Sequence, residues 1–137
     1  MKFNLLLAVL IAAAVQVHGA TEKEIVHAVV MEASGEPYQA QLGICAVIRS
    51  RGTNLHGIYG AKATRKESAA VYAQVAKAWK ESATNDITGG CDLFGGAIDD
   101  KYFQGKLGLK PVLTISHTRF YKSHKASRHD KPIRYLR

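Results

Sequence analysis

The chain has 137 residues and a formal charge of +8, from nineteen Lys and Arg against eleven Asp and Glu. That length holds one ordinary domain and excludes a second, and 47% hydrophobic with 22% charged residues excludes a disordered or collagen-like chain. Two cysteines are too few for a disulfide scaffold and lack zinc-ribbon spacing, while the excess of base points to an anionic partner.

In chain order, a basic start at Lys2 precedes an unbroken apolar run from Leu5 to Val15, followed by small residues at Gly19 and Ala20. This is the pattern of a secretory signal peptide over residues 1-20. The run is too short for a membrane span, which needs about 20 apolar residues. Export places the mature chain in a secreted or periplasmic, oxidising setting. There Cys45 and Cys91 have two readings of equal weight: a disulfide worth about 4 kcal/mol in the chain-entropy model, or buried free thiols.

Thr21 caps a helix with Glu22 and Glu24 in its first turn and Ile25, Val26, Val29, Val30 and Ala33 on its apolar face. It ends at Ser34-Gly35, where glycine is suited to the left-handed conformation of a helix end. Glu36-Pro37 starts a second helix that carries Ala40, Leu42, Ile44, Cys45, Val47 and Ile48 and is the most buried element. It closes on Arg49-Ser50-Arg51-Gly52. A third helix is predicted from about Arg65 to Ala83, with Tyr72, Val75 and Trp79 in its stripe. After the turn cluster 85–90, Cys91 to Phe94 forms one short strand, and Val112 to Tyr121 a second. The expectation is an α+β domain of about three helices and a short two-stranded β element.

The end of the chain differs in kind. From Arg119 a base recurs at every third position to Arg137, so the segment from His117 onward has seven bases and one acid. The body from Thr21 to Ser116 has eleven bases and ten acids. The excess charge therefore belongs to a basic tail, assigned to residues 123-137, behind a domain at 21-122.

Among candidate functional residues, Glu32 stands out. It lies in the apolar stretch Val29-Val30-Met31-Glu32-Ala33, where desolvation raises a carboxyl pKa toward that of a general acid. The plainer reading is an acid on a solvated helix face. Glu36 lies four residues on, close enough for a carboxylate pair, although an acid ahead of Pro37 also suits the start of a helix. The histidines form no metal-binding pattern; His117 is a candidate to line a cleft, with a satisfied structural histidine as the plainer reading. Serine-hydrolase elbows and phosphate-binding glycine loops are absent from the sequence.

The stretch Ile25-Val26-His27-Ala28-Val29-Val30-Met31-Glu32-Ala33-Ser34-Gly35-Glu36-Pro37-Tyr38, continuing through Gln41 to Arg51, resembles the SleB/CwlJ family of cell wall hydrolases. That family has a helix ending in an acid-Ala-x-Gly-Glu element followed by an apolar helix. His56-Gly57-Ile58-Tyr59, Thr88-Gly89-Gly90 with Leu93-Phe94, and Ile115 to Tyr121 fit later family elements in order. Two departures stand out: where family members carry histidine two places before the closing Phe-Tyr, this chain has Thr118, with histidine one place earlier at His117, and the loop after Tyr59 lacks the expected Gln-Phe pair.

The resemblance implies a small lysozyme-like fold that cleaves the MurNAc–GlcNAc β-1,4 bond of peptidoglycan, as a lytic transglycosylase or a muramidase. Glu32 would be its catalytic acid/base and Glu36 a supporting residue. Tyr38, Gln41, Thr88, Phe120 and Tyr121 are the candidates to line the sugar groove. No cofactor or metal is implied, and a monomer is expected. The tail would bind anionic envelope polymers, and export with no recognition motif argues against nucleic acid. The alternative is a secreted, non-catalytic cationic protein that binds those polymers.

Overall fold

The computed structural model describes residues 19–123. The segment expected as a signal peptide, 1-20, except Gly19 and Ala20, and the segment expected as a basic tail, 123-137, except Ser123, lie outside the described residues. No helix among the described residues is long and apolar enough to cross a membrane.

Helix α1 spans Glu22–Ala33 and starts as its sequence dictates. The Thr21 hydroxyl accepts from the Glu24 backbone N–H at 3.3 Å, while the Glu24 carboxylate accepts from the Thr21 N–H at 2.7 Å. This capping box satisfies two backbone donors that a helix start leaves open. The other end departs from expectation, since Gly35 does not take the left-handed conformation. The Gln41 side-chain amide closes the turn by donating to Ala33 O at 2.9 Å and Glu36 O at 3.3 Å.

Helix α2, Tyr38–Ser50, has Pro37 at its N-cap and is buried without a break from Ala40 to Ile48. Gly52 follows in the left-handed region at φ 64°. Helix α3, Ala69–Glu81, starts four residues later than predicted, capped by Ser68. The residues ahead of it close the end of α1 instead. The Arg65 guanidinium donates to Met31 O at 3.1 Å and Ser34 Oγ at 3.0 Å, and Glu67 accepts from both Ser34 and Arg65. A cation there also suits the negative end of the helix dipole.

Two corrections concern the β element. The residues expected as one second strand make two, because Ser116 at φ 52° turns the chain back. Strands β1 (Leu93–Gly95), β2 (Leu113–Ile115) and β3 (Thr118–Tyr121) form an antiparallel sheet with β3 in the centre. Phe94 and Leu113 both pair with Phe120 in the register. The segment read as loop between β1 and β2 contains a 3₁₀ turn, Ala97–Asp99, and a π-helical stretch, Lys101–Lys106. Phe103 from the latter is buried with Leu93, Leu109 and Tyr121 in a small second core.

The sheet packs closely on α2. The Phe120 ring lies on Gly43, where an added Cβ would be 2.6 Å from Cζ of the ring. Glycine at that helical position therefore removes a steric barrier rather than supplying flexibility. Phe120, Ile44, Val47 and Ile48 are all fully buried in the main core with α1 and α3. Arg49 ties the ends of α2 and α3 together: it donates to Trp79 O at 2.6 Å and stacks 3.7 Å from the Trp79 ring.

Cys45 and Cys91 are buried free thiols, so the disulfide alternative is not the one adopted. Burial pushes the Cys45 thiol up to about 12, and burial likewise raises Cys91, whose Sγ–H donates to Thr88 O at 3.3 Å. Both behave as small hydrophobes, since a nucleophilic thiol needs a lowered pKa.

Asp86 organises the turn that leads into Cys91. Its carboxylate accepts from Thr88 N at 2.9 Å, Thr88 Oγ at 2.6 Å and Gly90 N at 2.8 Å. Partial burial pushes this carboxyl up, but the hydrogen bonds from Thr88 and the glycine backbone outweigh it and hold the group below its ordinary value. A depressed folded-state pKa stabilises the protein above the unfolded value, and the contribution is lost as pH falls through the folded value. Asp86→Asn is expected to cost at most about 1 kcal/mol at neutral pH, given the solvent exposure of the group. In thermal melts the gap from wild type should shrink below about pH 4, the ordinary aspartate range.

Candidate active site

Glu32 sits in the last turn of α1, half-buried at the edge of a groove of about 190 Å³. Its position is set by the 3₁₀ turn Tyr59–Lys62, which lies directly against α1. The Gly60 N–H donates to Glu32 Oε1 at 2.6 Å. That approach depends on glycine: a Cβ at position 60 would be 2.3 Å from Ala28 O and 2.8 Å from Glu32 Cγ.

The segment that carries Gly60 is pinned at both ends. Arg51 donates to His56 O at 2.5 Å, and Ile58 is buried in the core. On the far side, His27 Nε2 faces Ala63 O at 2.7 Å and Nδ1 faces the Tyr72 hydroxyl at 3.0 Å. A carbonyl only accepts, so Nε2 carries the proton, and in the neutral ring Nδ1 accepts from Tyr72. Helices α1 and α3 thus hold the turn that orients the acid.

Ile44 from α2 and Phe94 from β1, both buried, contribute to the groove lining. Gly95, Gly96, Ile98 and Asp99 follow from the end of β1 and the 3₁₀ turn, with the Gly96 N–H donating to Asp99 Oδ2 at 2.9 Å. The remaining lining comes from Glu36, from Tyr59, and from His117 and Thr118 of the β2–β3 hairpin. Glu36 Oε1 lies 3.1 Å from His117 Nδ1, and Oε2 accepts from the His117 backbone N–H at 3.4 Å. Tyr59 and Ile98 leave apolar surface open to solvent there, at 50% and 68% exposure. Three carboxylates, one imidazole and two exposed apolar side chains therefore share one groove. Among the described residues no group of three His, Cys, Asp or Glu side chains is arranged to hold a metal.

Of the residues singled out in the sequence, Glu32, Glu36 and His117 line this groove and the five sugar-groove candidates do not. The Tyr38 hydroxyl donates to Glu81 at 2.5 Å, and burial, then the Glu81 contact, pushes it up to about 12. Gln41 is fully buried between the α1–α2 turn and Gln74, whose amide donates to it at 2.8 Å. Thr88 is buried in the Asp86 turn, where its hydroxyl accepts from Cys91 N at 3.2 Å. Phe120 fills the core against Gly43. Tyr121 is buried in the second core, its hydroxyl between Gln104 and Asp100. The physical reason is common to all five: the polar atoms are satisfied internally and the rings are used in packing.

Sequence reading missed Tyr59, Ile98, Asp99 and Thr118. Tyr59 had a usable signal, as an aromatic directly before a glycine in an irregular segment. Ile98 and Asp99 had none, because the 3₁₀ turn alone brings them to the groove.

No family model matches the chain, and no curated protein matches it. Two solved structures share its fold. One is the catalytic domain of the Bacillus cereus SleB protein, with a TM-score of 0.53 and 22% identity over 77% of this chain and 94% of that one. The other is the catalytic domain of the germination-specific lytic transglycosylase SleB from Bacillus anthracis, with a TM-score of 0.52 and 22% identity over 77% of this chain and 98% of that one. The chain is thus an α+β domain with the fold of these SleB catalytic domains.

Proposed function

We propose that this protein cleaves the glycan strands of peptidoglycan, with Glu32 as the general acid/base. The observation that carries the reading is the Glu32 carboxyl held by the Gly60 N–H at the edge of a groove. The SleB-like fold and the acid-Ala-x-Gly-Glu element support it. Glu32 protonates the glycosidic oxygen between MurNAc C1 and GlcNAc O4, and that bond breaks with the electron pair leaving on O4. The MurNAc 6-hydroxyl then closes on C1 and gives its proton to the Glu32 carboxylate, which regenerates the acid. One carboxyl serves both steps because no water has to be activated. In this reading the signal peptide exports the enzyme and the basic tail holds it to the anionic wall.

The test is product analysis by mass spectrometry after residues 21–137 act on purified peptidoglycan. The expected products are anhydro-muropeptides. Reducing-end products would make the enzyme a muramidase that uses water in place of the 6-hydroxyl. No products would leave only a cationic binder of envelope polymers and overturn the reading.

A further inference from the structure

We infer that His117 is a substrate-holding residue of the groove and that Glu36 is its positioning residue; this rests on the proposed saccharide substrate. The side chain of His117 is 89% exposed, that of Glu36 only 16%. Glu36 grips His117 at two points, Nδ1 at 3.1 Å and the backbone N–H at 3.4 Å, and the Ser116 hydroxyl lies 3.2 Å from the same Nδ1, which together fix ring and hairpin tip. The grip spans 81 residues of sequence, so the fold and not local geometry creates it. Its mounting is firm: the Glu36 N–H donates to Ala33 O at 3.1 Å, and the Glu36 carbonyl accepts from Gln41, itself held by Gln74. On the far side Arg119 donates to His117 O at 3.1 Å and pairs with Asp100 at 2.9 Å.

The chemistry follows from the partner. A carboxylate only accepts, so the proton lies on Nδ1, and in the neutral ring Nε2 is an acceptor. An exposed imidazole normally keeps its rotamers, and freezing one costs entropy that a surface ion pair returns poorly. The arrangement instead holds in place a residue that lines the groove of Glu32 and whose neutral ring keeps Nε2 as an acceptor. Sugar hydroxyls and the N–H of an acetamido group are the donors it suits.

The experiment uses the Glu32→Gln chain, so that glycan is bound without being cleaved, and a peptide-free GlcNAc–MurNAc oligosaccharide as the probe in calorimetry. His117→Ala and Glu36→Ala should each weaken the Kd by about tenfold, one hydrogen bond's worth. The double variant should be no weaker than the worse single one, because Glu36 acts through His117. Glu36→Gln, which still offers an oxygen to Nδ1–H, should recover most of the affinity. Thermal melts establish that each variant is folded. Unchanged affinity in His117→Ala, or losses that multiply in the double variant, would overturn the inference while peptidoglycan cleavage by the Glu32 enzyme upholds the function. A chain that neither cleaves nor binds glycan overturns both.

Discussion

Replacing Glu32 by Gln should lower peptidoglycan cleavage by a factor of about 10²–10⁴, the range by which a positioned acid/base accelerates proton transfer. The substitution is chosen for its geometry. The Gln carbonyl oxygen can still accept from Gly60 N–H, which approaches Glu32 Oε1 at 2.6 Å, so the turn and the melting temperature should hold. What is lost is the proton. Turbidity clearing of purified wall material, with a thermal melt on the same preparation, reads both quantities. If cleavage persists near the wild-type rate, the acid is another groove carboxylate, Glu36 or Asp99, and the assignment of Glu32 fails.

Gly60→Ala should damage stability and activity together. The new Cβ would overlap Ala28 O at 2.3 Å and approach Glu32 Cγ at 2.8 Å and Glu32 N at 3.1 Å. Two of those atoms are α1 backbone and cannot rotate away, so the 3₁₀ turn has to move off the helix. Overpacking of this kind costs about 1–3 kcal/mol. At roughly 4–8 °C per kcal/mol for a domain near this size, the melt should shift visibly. Activity should fall further than the lost folded fraction explains, because the donor that orients Glu32 moves with the turn. Gly105→Ala, where a Cβ meets nothing within 4 Å, is the matched control and should change neither. An unaltered melt for Gly60→Ala would mean that the turn does not press on α1 as described.

The elements that declared themselves in the sequence depend on neighbours a few residues away. The Thr21 cap with Glu24 in the first turn of α1 and left-handed Gly52 after α2 each act within one turn of chain. The apolar periodicity of α1 and α2 was equally plain, because a helix that buries one face must repeat with the helical period. Elements that failed to declare themselves answer to distant partners. Arg65 to Glu67 looks like helix, yet those side chains are drawn to the end of α1. Val112 to Tyr121 alternates like one strand, yet Ser116 turns so that β3 pairs on both edges.

The site divides along the same line. Glu32 was legible because an acid in an apolar stretch conflicts with its surroundings, and Glu36 because it shares the same helix junction. Aromatic and polar residues at strand or helix positions carry no such conflict: the resemblance points Tyr38, Gln41, Thr88, Phe120 and Tyr121 to the sugar groove, while the fold uses them for packing. By itself the sequence determined α1, α2 and the body of α3, the α+β class, the division into a near-neutral body and a basic end, and the acid that departs from its surroundings. Tertiary structure alone decided that Gly60 meets Glu32, that His117 meets Glu36, and that Tyr59, Ile98 and Asp99 share the groove. The reason is physical: capping and periodicity are written in neighbouring residues, whereas a groove is made by side chains that only packing brings together.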